Sequence, residues 1–175
     1  EANGAKSREK ARIKGAASRE NMNEYVCEFY VTDDKLVVVK EHNEYLKDED
    51  EAFPYLGKCW MPANMRTLAA VYDLRNTDEV KLICELGQDG GFVSSRMYDG
   101  RLYLLSSYYN YGVKKKEDIT SYVPKAYTNG AANALAVGDI AVLPEAESDG
   151  YTVIGAIDLQ KGKIESLEAV LGGYC

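Results

Sequence analysis

A chain of 175 residues that is 46% hydrophobic and 28% charged is long enough for one globular core, and 14 Tyr against 3 Phe and 1 Trp lean it towards sheet. A net charge of −7 argues against nucleic acid or an anionic membrane as partner, and no apolar run approaches the roughly 20 residues of a membrane helix. No secretory signal is present, and no Cys-x-x-Cys pair occurs among Cys27, Cys59, Cys84 and Cys175, so the redox compartment stays open.

Residues 1–20 hold six Lys/Arg against three acids, a texture that fits a solvated outer strand or a frayed arm. Glu1 to Gly15 matches Asp73 to Gly87 in length and charge pattern, which favours strand-turn-strand over the competing amphipathic helix. Tyr25 to Val31 and Lys35 to Val39 are β-patterned runs reversing at Thr32-Asp33-Asp34. Residues 41–66 read as an insert, with an acidic run Asp48-Glu49-Asp50-Glu51 followed by Phe53, Tyr55 and Trp60. A second hairpin spans 67–87 about the turn Arg75-Asn76-Thr77-Asp78, and Gly87-Gln88-Asp89-Gly90-Gly91 forms a tight crossing. Phe92 to Tyr109 is a third hairpin, hinged at Asp99-Gly100, a step that accepts positive φ at low cost. A long insert at 110–150 holds Tyr111, Tyr122, Tyr127 and Asn129-Gly130, with Ile140 to Pro144 as an extra short strand. Residues 151–172 close as a fourth hairpin.

Thr67-Leu68-Ala69-Ala70-Val71-Tyr72-Asp73-Leu74 matches Thr152-Val153-Ile154-Gly155-Ala156-Ile157-Asp158-Leu159 at an offset of 85, and Leu86-Gly87 matches Leu171-Gly172 at the same offset. Each unit is therefore a hairpin, an insert, and a second hairpin: four strands between turn residues, the signature of a β-propeller blade. The expected fold is all-β, a propeller fragment of about two complete four-stranded antiparallel blades plus part of a preceding one. Residues 1–23 supply outer strands of that preceding blade or an arm, 24–87 one blade, 91–172 the next, and 173–175 the start of another. A ring needs at least about four blades, so two leave apolar sheet faces to be covered by further blades, by self-association or by the inserts.

Chemistry is sparse. His42 follows a strand and reads as a surface residue, with no Gly-x-Ser-x-Gly elbow to make it a catalytic base. No ligand spacing suits zinc, and the acidic run lacks an Asp-x-Asp-x-Asp-Gly loop for calcium, so neither metal nor cofactor is expected. Asp73 and Asp158 are expected to accept turn amides, and Arg96 to pair with an acid or loop carbonyls. Lys114-Lys115-Lys116 beside Glu117-Asp118 reads as a solvated loop. Cys27 and Cys84, within strands, read as small buried apolar groups. Tyr108, Tyr109, Tyr111, Tyr122 and Tyr127, joined by Trp60, form the candidate ligand surface; packing of the insert on its blade is the alternative role.

Phe92-Val93-Ser94-Ser95-Arg96-Met97, Ser121-Tyr122-Val123-Pro124-Lys125, Asp139-Ile140-Ala141-Val142-Leu143-Pro144 and Tyr151-Thr152-Val153 with Ile157-Asp158-Leu159 occur in an order that resembles a bacterial and archaeal family of secreted proteins. That family has a C-terminal β-propeller distantly related to WD40 repeats. The resemblance runs over nearly the whole chain from Glu24 and implies an extracellular or surface-attached protein, with no established catalytic residues to carry over. The function expected is a non-catalytic binding scaffold for a protein or glycan, able to self-associate through exposed blade faces. The rival is a polysaccharide-active or hydrolytic propeller enzyme whose catalytic residues lie partly in other blades, and fold alone does not choose between them.

Overall fold

The computed structural model describes residues 9, 11–15, 21–32, 34–45, 62–109, 117–146 and 148–172. Two antiparallel four-stranded modules stack face to face. The first contains β1 (Met22–Val31), β2 (Lys35–Tyr45), β3 (Pro62–Asp73) and β4 (Lys81–Asp89). The second contains β5 (Gly91–Tyr98), β6 (Arg101–Tyr108), β10 (Tyr151–Asp158) and β11 (Lys163–Leu171). The hairpin of β7 (Lys125–Thr128) and β8 (Ala131–Ala134) extends the first sheet past β4, while β9 (Ile140–Val142) lies parallel to the end of β11. The all-β blade architecture expected from the repeat is present.

Alternation decides which side chains meet. Val37, Val39, Ala69, Val71, Cys84 and Leu86 project from the first sheet onto Leu102, Leu104, Ile157 and Leu159 of the second, and all are buried. A second cluster, Leu135, Tyr151, Val153 and Ala169, continues that core towards β9. Gln88 fixes the stacking distance: its Nε2 donates to Ser106 Oγ (2.8 Å) and to the carbonyl of Val153 (2.9 Å), deep in the interface. Gly at position 155 leaves room for this side chain, because a Cβ there would stand 2.1 Å from Gln88 Oε1 and force it to move. At the edge formed by the first strands, Ser95 Oγ donates to Glu28, and Tyr30 shares the same carboxylate at 2.8 Å. These hydrogen bonds, Ser95 first, hold the Glu28 carboxyl below its ordinary range.

The repeat is written in the irregularities as well. Register shifts fall at Cys27 in β1 and Val93 in β5, and at Ile83 in β4 and Glu165 in β11. The first and fourth strands of each module therefore carry an extra residue in matching places, which bends and twists both sheets alike. One sequence match does not survive. Ala69 pairs with Leu86, but Ile154, its repeat partner, pairs with Glu168 rather than Leu171. The β10–β11 turn is shorter than the β3–β4 turn, so Leu86-Gly87 and Leu171-Gly172 are not structural equivalents.

Asp99 (φ 47°) and Gly100 (φ 69°) make the expected left-handed turn between β5 and β6. The crossing from β4 to β5 is the single residue Gly90, φ 103°. Gly90 N–H donates to the Met65 carbonyl (2.8 Å), Thr67 Oγ1 donates to the Gly90 carbonyl (2.9 Å), and Ser106 Oγ donates to the Asp89 carbonyl (2.7 Å). The first insert is shorter than its sequence suggests. β2 runs on to Tyr45 and β3 begins at Pro62, so only 46–61 of 41–66 separates the strands, and that segment lies outside the described residues. Of residues 1–20, the described ones (9 and 11–15) belong to no strand or helix.

Candidate functional site

A polar network crosses the face of the first sheet that is turned away from the second. It begins on β2, where alternation puts Lys40, His42 and Glu44 on one face. His42 Nδ1 lies 3.1 Å from Glu24 Oε1 on β1, and Nε2 lies 3.2 Å from Glu44 Oε1. Lys40 bridges Glu24 (3.2 Å) and Glu85 on β4 (2.8 Å). Glu44 also meets Arg66 on β3 at 3.4 Å, and the Arg66 guanidinium stands 4.7 Å above the Tyr127 ring. Tyr127 Oη donates to Asp89 Oδ1 (2.7 Å), while the Lys125 amide donates to Asp89 Oδ2 (2.8 Å).

Electrostatics follow from this wiring. Burial alone would raise the Glu24 and Glu44 carboxyls, but His42 and Lys40 around Glu24, and Arg66 and His42 around Glu44, hold both below their ordinary values. Burial would lower the Lys40 ammonium, yet Glu85 and Glu24 keep it raised. Asp89 differs: it is buried, and desolvation lifts its carboxyl above the usual range despite the two hydrogen bonds it accepts. Desolvation and the adjacent Asp89 also raise the Tyr127 phenol.

The network ties the strands of the first sheet together, and both His42 nitrogens face carboxylates. Among the described residues no group of His, Cys, Asp or Glu is arranged to hold a metal. His42 is also not the surface loop residue its position suggested. It is buried within β2, because the polar alternation that reads as a loop is satisfied by Glu24, Arg66 and their neighbours across the sheet.

The tyrosines divide. Tyr127 is buried with its hydroxyl committed to Asp89, and Tyr108 packs on the second core cluster with its ring centroid 5.9 Å from that of Tyr151. Tyr127 thus packs the β7–β8 hairpin on its sheet, while Tyr108 is half-buried at the end of β6. Tyr109 lies against Gly150, where a Cβ would come within 2.6 Å of its ring, and Tyr122 ends the short 3-10 turn Ile119–Ser121. Both are partly exposed. Tyr111 and Trp60 lie outside the described residues, as does the acidic run at 48–51.

The other expected roles can be placed. Asp73 accepts the Arg75 amide (2.9 Å), and Asp158 accepts the amides of Gln160 and Lys161 (3.0 and 2.9 Å). Arg96 is exposed and donates to the Ser95 carbonyl at 2.6 Å. Cys84 sits in the core, and Cys27, at the β1 bulge, is half-buried; burial raises both thiols. Sequence reasoning missed the Asp89–Tyr127–Arg66 link altogether. The available signal was Asn129-Gly130, a hairpin turn whose φ values of 48° and 84° present β7–β8 to β4.

A groove of about 640 Å³ opens between that hairpin and β11, walled by Ala126, Thr128 and Ala134 on one side and Lys163, Ser166 and Glu168 on the other. It lies at the outer margin of the stacked sheets. No curated protein and no solved structure matches the chain. A family model described as the beta propeller domain matches residues 3–174, and this, with the stacked antiparallel modules, shows that the chain belongs to the beta propeller domain family.

Proposed function

We propose that this propeller domain is a non-catalytic interaction scaffold, acting outside the cell or on its surface, whose two outward sheet faces take further modules of the same kind. One observation carries the reading: the acid–histidine network is spent on its own strands, while large apolar side chains face outwards on both sheets. Phe29 and Val31 are 68% and 64% exposed on the first sheet, and Ile154 and Tyr103 are 43% and 38% exposed on the second. In the repeat, the outer face of the first sheet corresponds to the buried face of the second, and the reverse, so outside the charged network the outward positions match ones that already pack. The resemblance to secreted bacterial and archaeal proteins with WD40-like propellers supports the extracellular placement. A protein or glycan is the ligand class such a scaffold would display to.

Sedimentation velocity tests the reading. The wild-type chain should associate with rising concentration, and Phe29→Asp should reduce that association at least tenfold by placing a charge in the contact. A wild-type chain that stays monomeric up to about 100 µM, an association energy weaker than roughly 5 kcal/mol, overturns the stacking of these faces.

A further inference from the structure

We propose that the free edge of β11 from Lys163 to Glu168, with the groove it shares with β7–β8, takes up an extended peptide carrying basic side chains at alternate positions, as an added strand. This deepens the scaffold reading above and rests on it. β11 pairs with β10 along its whole length, but on its other side, among the described residues, it pairs with β9 over Ala169–Leu171 alone. Leu143 N–H donates to the Leu171 carbonyl at 3.1 Å, which fixes the direction of that edge. Two residues back along the strand, Ala169 and then Leu167 aim their peptide groups the same way. The amide and carbonyl of Leu167 therefore open into the groove, next to exposed Lys163, Glu165, Ser166 and Glu168. An edge of this kind is a template for another strand.

The molecule already uses the same device once. β4 is the fourth strand of the first module, and its outer edge accepts β7 over Leu86–Gln88, with Glu85 N–H donating to Asn129 Oδ1 at 2.9 Å. β11 is the fourth strand of the second module, with its bulge in the matching place. The opposite wall, Ala126 and Ala134 with Thr128, has side chains short enough to admit those of an incoming strand. Charge selects the occupant. Asp139, Glu165 and Glu168 line the groove against Lys163, and among the described residues only Glu165 of the three is in an ion pair, with Arg101 at 2.6 Å. A strand with Lys or Arg at every second residue places those cations beside Asp139 and Glu168, and its intervening small apolar residues against the alanine wall.

Fluorescence anisotropy with the labelled peptide Lys-Val-Lys-Val-Lys-Val-Lys tests this on the intact chain. The peptide should bind, and a version with Pro replacing the central Val, equal in charge, should bind at least tenfold more weakly because it lacks a backbone donor and breaks the strand. Ala134→Trp, which fills the groove from the far wall and leaves the residues of β11 unchanged, should weaken binding by a similar factor, and Glu168→Lys should do so most at low salt. Leu167→Pro removes the outward amide directly; if that variant does not fold, Ala134→Trp and the proline peptide still decide. Equal binding of the two peptides, unchanged affinity in Ala134→Trp, or no binding at about 1 mM peptide overturns the site. If the edge fails while Phe29→Asp still abolishes self-association, the scaffold reading stands without it; if both fail, the scaffold reading falls too.

Discussion

Replacing Tyr127 by Phe removes one hydroxyl and leaves Asp89 Oδ1 without its donor in a site where Asp89 is 5% exposed. A buried acceptor that loses its partner costs about 1–3 kcal/mol, and urea unfolding should show a loss of that size. Gly155→Ala should do at least as much harm. Its Cβ would drive Gln88 off both Ser106 and the Val153 carbonyl, a combination of overpacking and lost hydrogen bonds worth about 2–4 kcal/mol. The turn aspartates give a pH signature. Asp73 is held at about 2 by Arg75 and its amide, and Asp158 at about 2 by Lys161 and its amide, against an ordinary value of 3.8. Their folded values lie below the unfolded ones, so the stabilisation is complete above the unfolded value and is lost as pH falls towards 2. Thermal melts between pH 5 and about pH 2 should show a fall in Tm that is shallower in the Asp73→Asn, Asp158→Asn double variant; an identical fall would mean that other carboxylates govern acid stability.

At the scale of the element, the β7–β8 hairpin belongs by sequence to the insert of one module and by hydrogen bonding to the sheet of the other. Gly130 holds φ 84° in its turn, a conformation that a β-branched residue resists. Gly130→Val should therefore loosen the hairpin, so that hydrogen exchange accelerates at Ala126–Thr128 while Leu102–Leu104 and Val153–Ile157 keep their protection. Uniform acceleration would show instead that the hairpin is integral to the cooperative core. The four main hairpins and the short strand at Ile140 were legible because apolar alternation and turn residues are local signals. Two features were not. The polar end of β2 looks like a loop, since the partners that make Lys40, His42 and Glu44 affordable in a sheet come from β1, β3 and β4. The destination of β7–β8 is equally hidden: Asn129-Gly130 announces a hairpin, but the choice of β4 as its neighbour rests on Asp89, Tyr127 and Arg66 meeting in space. The two roles open to the tyrosine cluster could not be separated for a related reason, because a ring that can face a ligand can also fill a seam, and sequence alone does not say which side of a strand is covered.

For the molecule as a whole, the outward faces set the behaviour. Exposed Phe29 and Val31 on one side and Ile154 and Tyr103 on the other make a unit whose two sides differ, so the stacking proposed above would run head to tail rather than two-fold. Mixing Phe29→Asp with Ile154→Asp should restore pairs but not longer assemblies, since each variant keeps one working face; continued growth of the mixture would rule out this polarity. The single-residue corner at Gly90 has a mechanical consequence. With no slack between the modules and three hydrogen bonds pinning the bend, neither can tilt against its neighbour without breaking them. Stretched from its ends, the molecule should yield in one rupture rather than two, behaving as a stiff wedge whose opening angle is built into the chain.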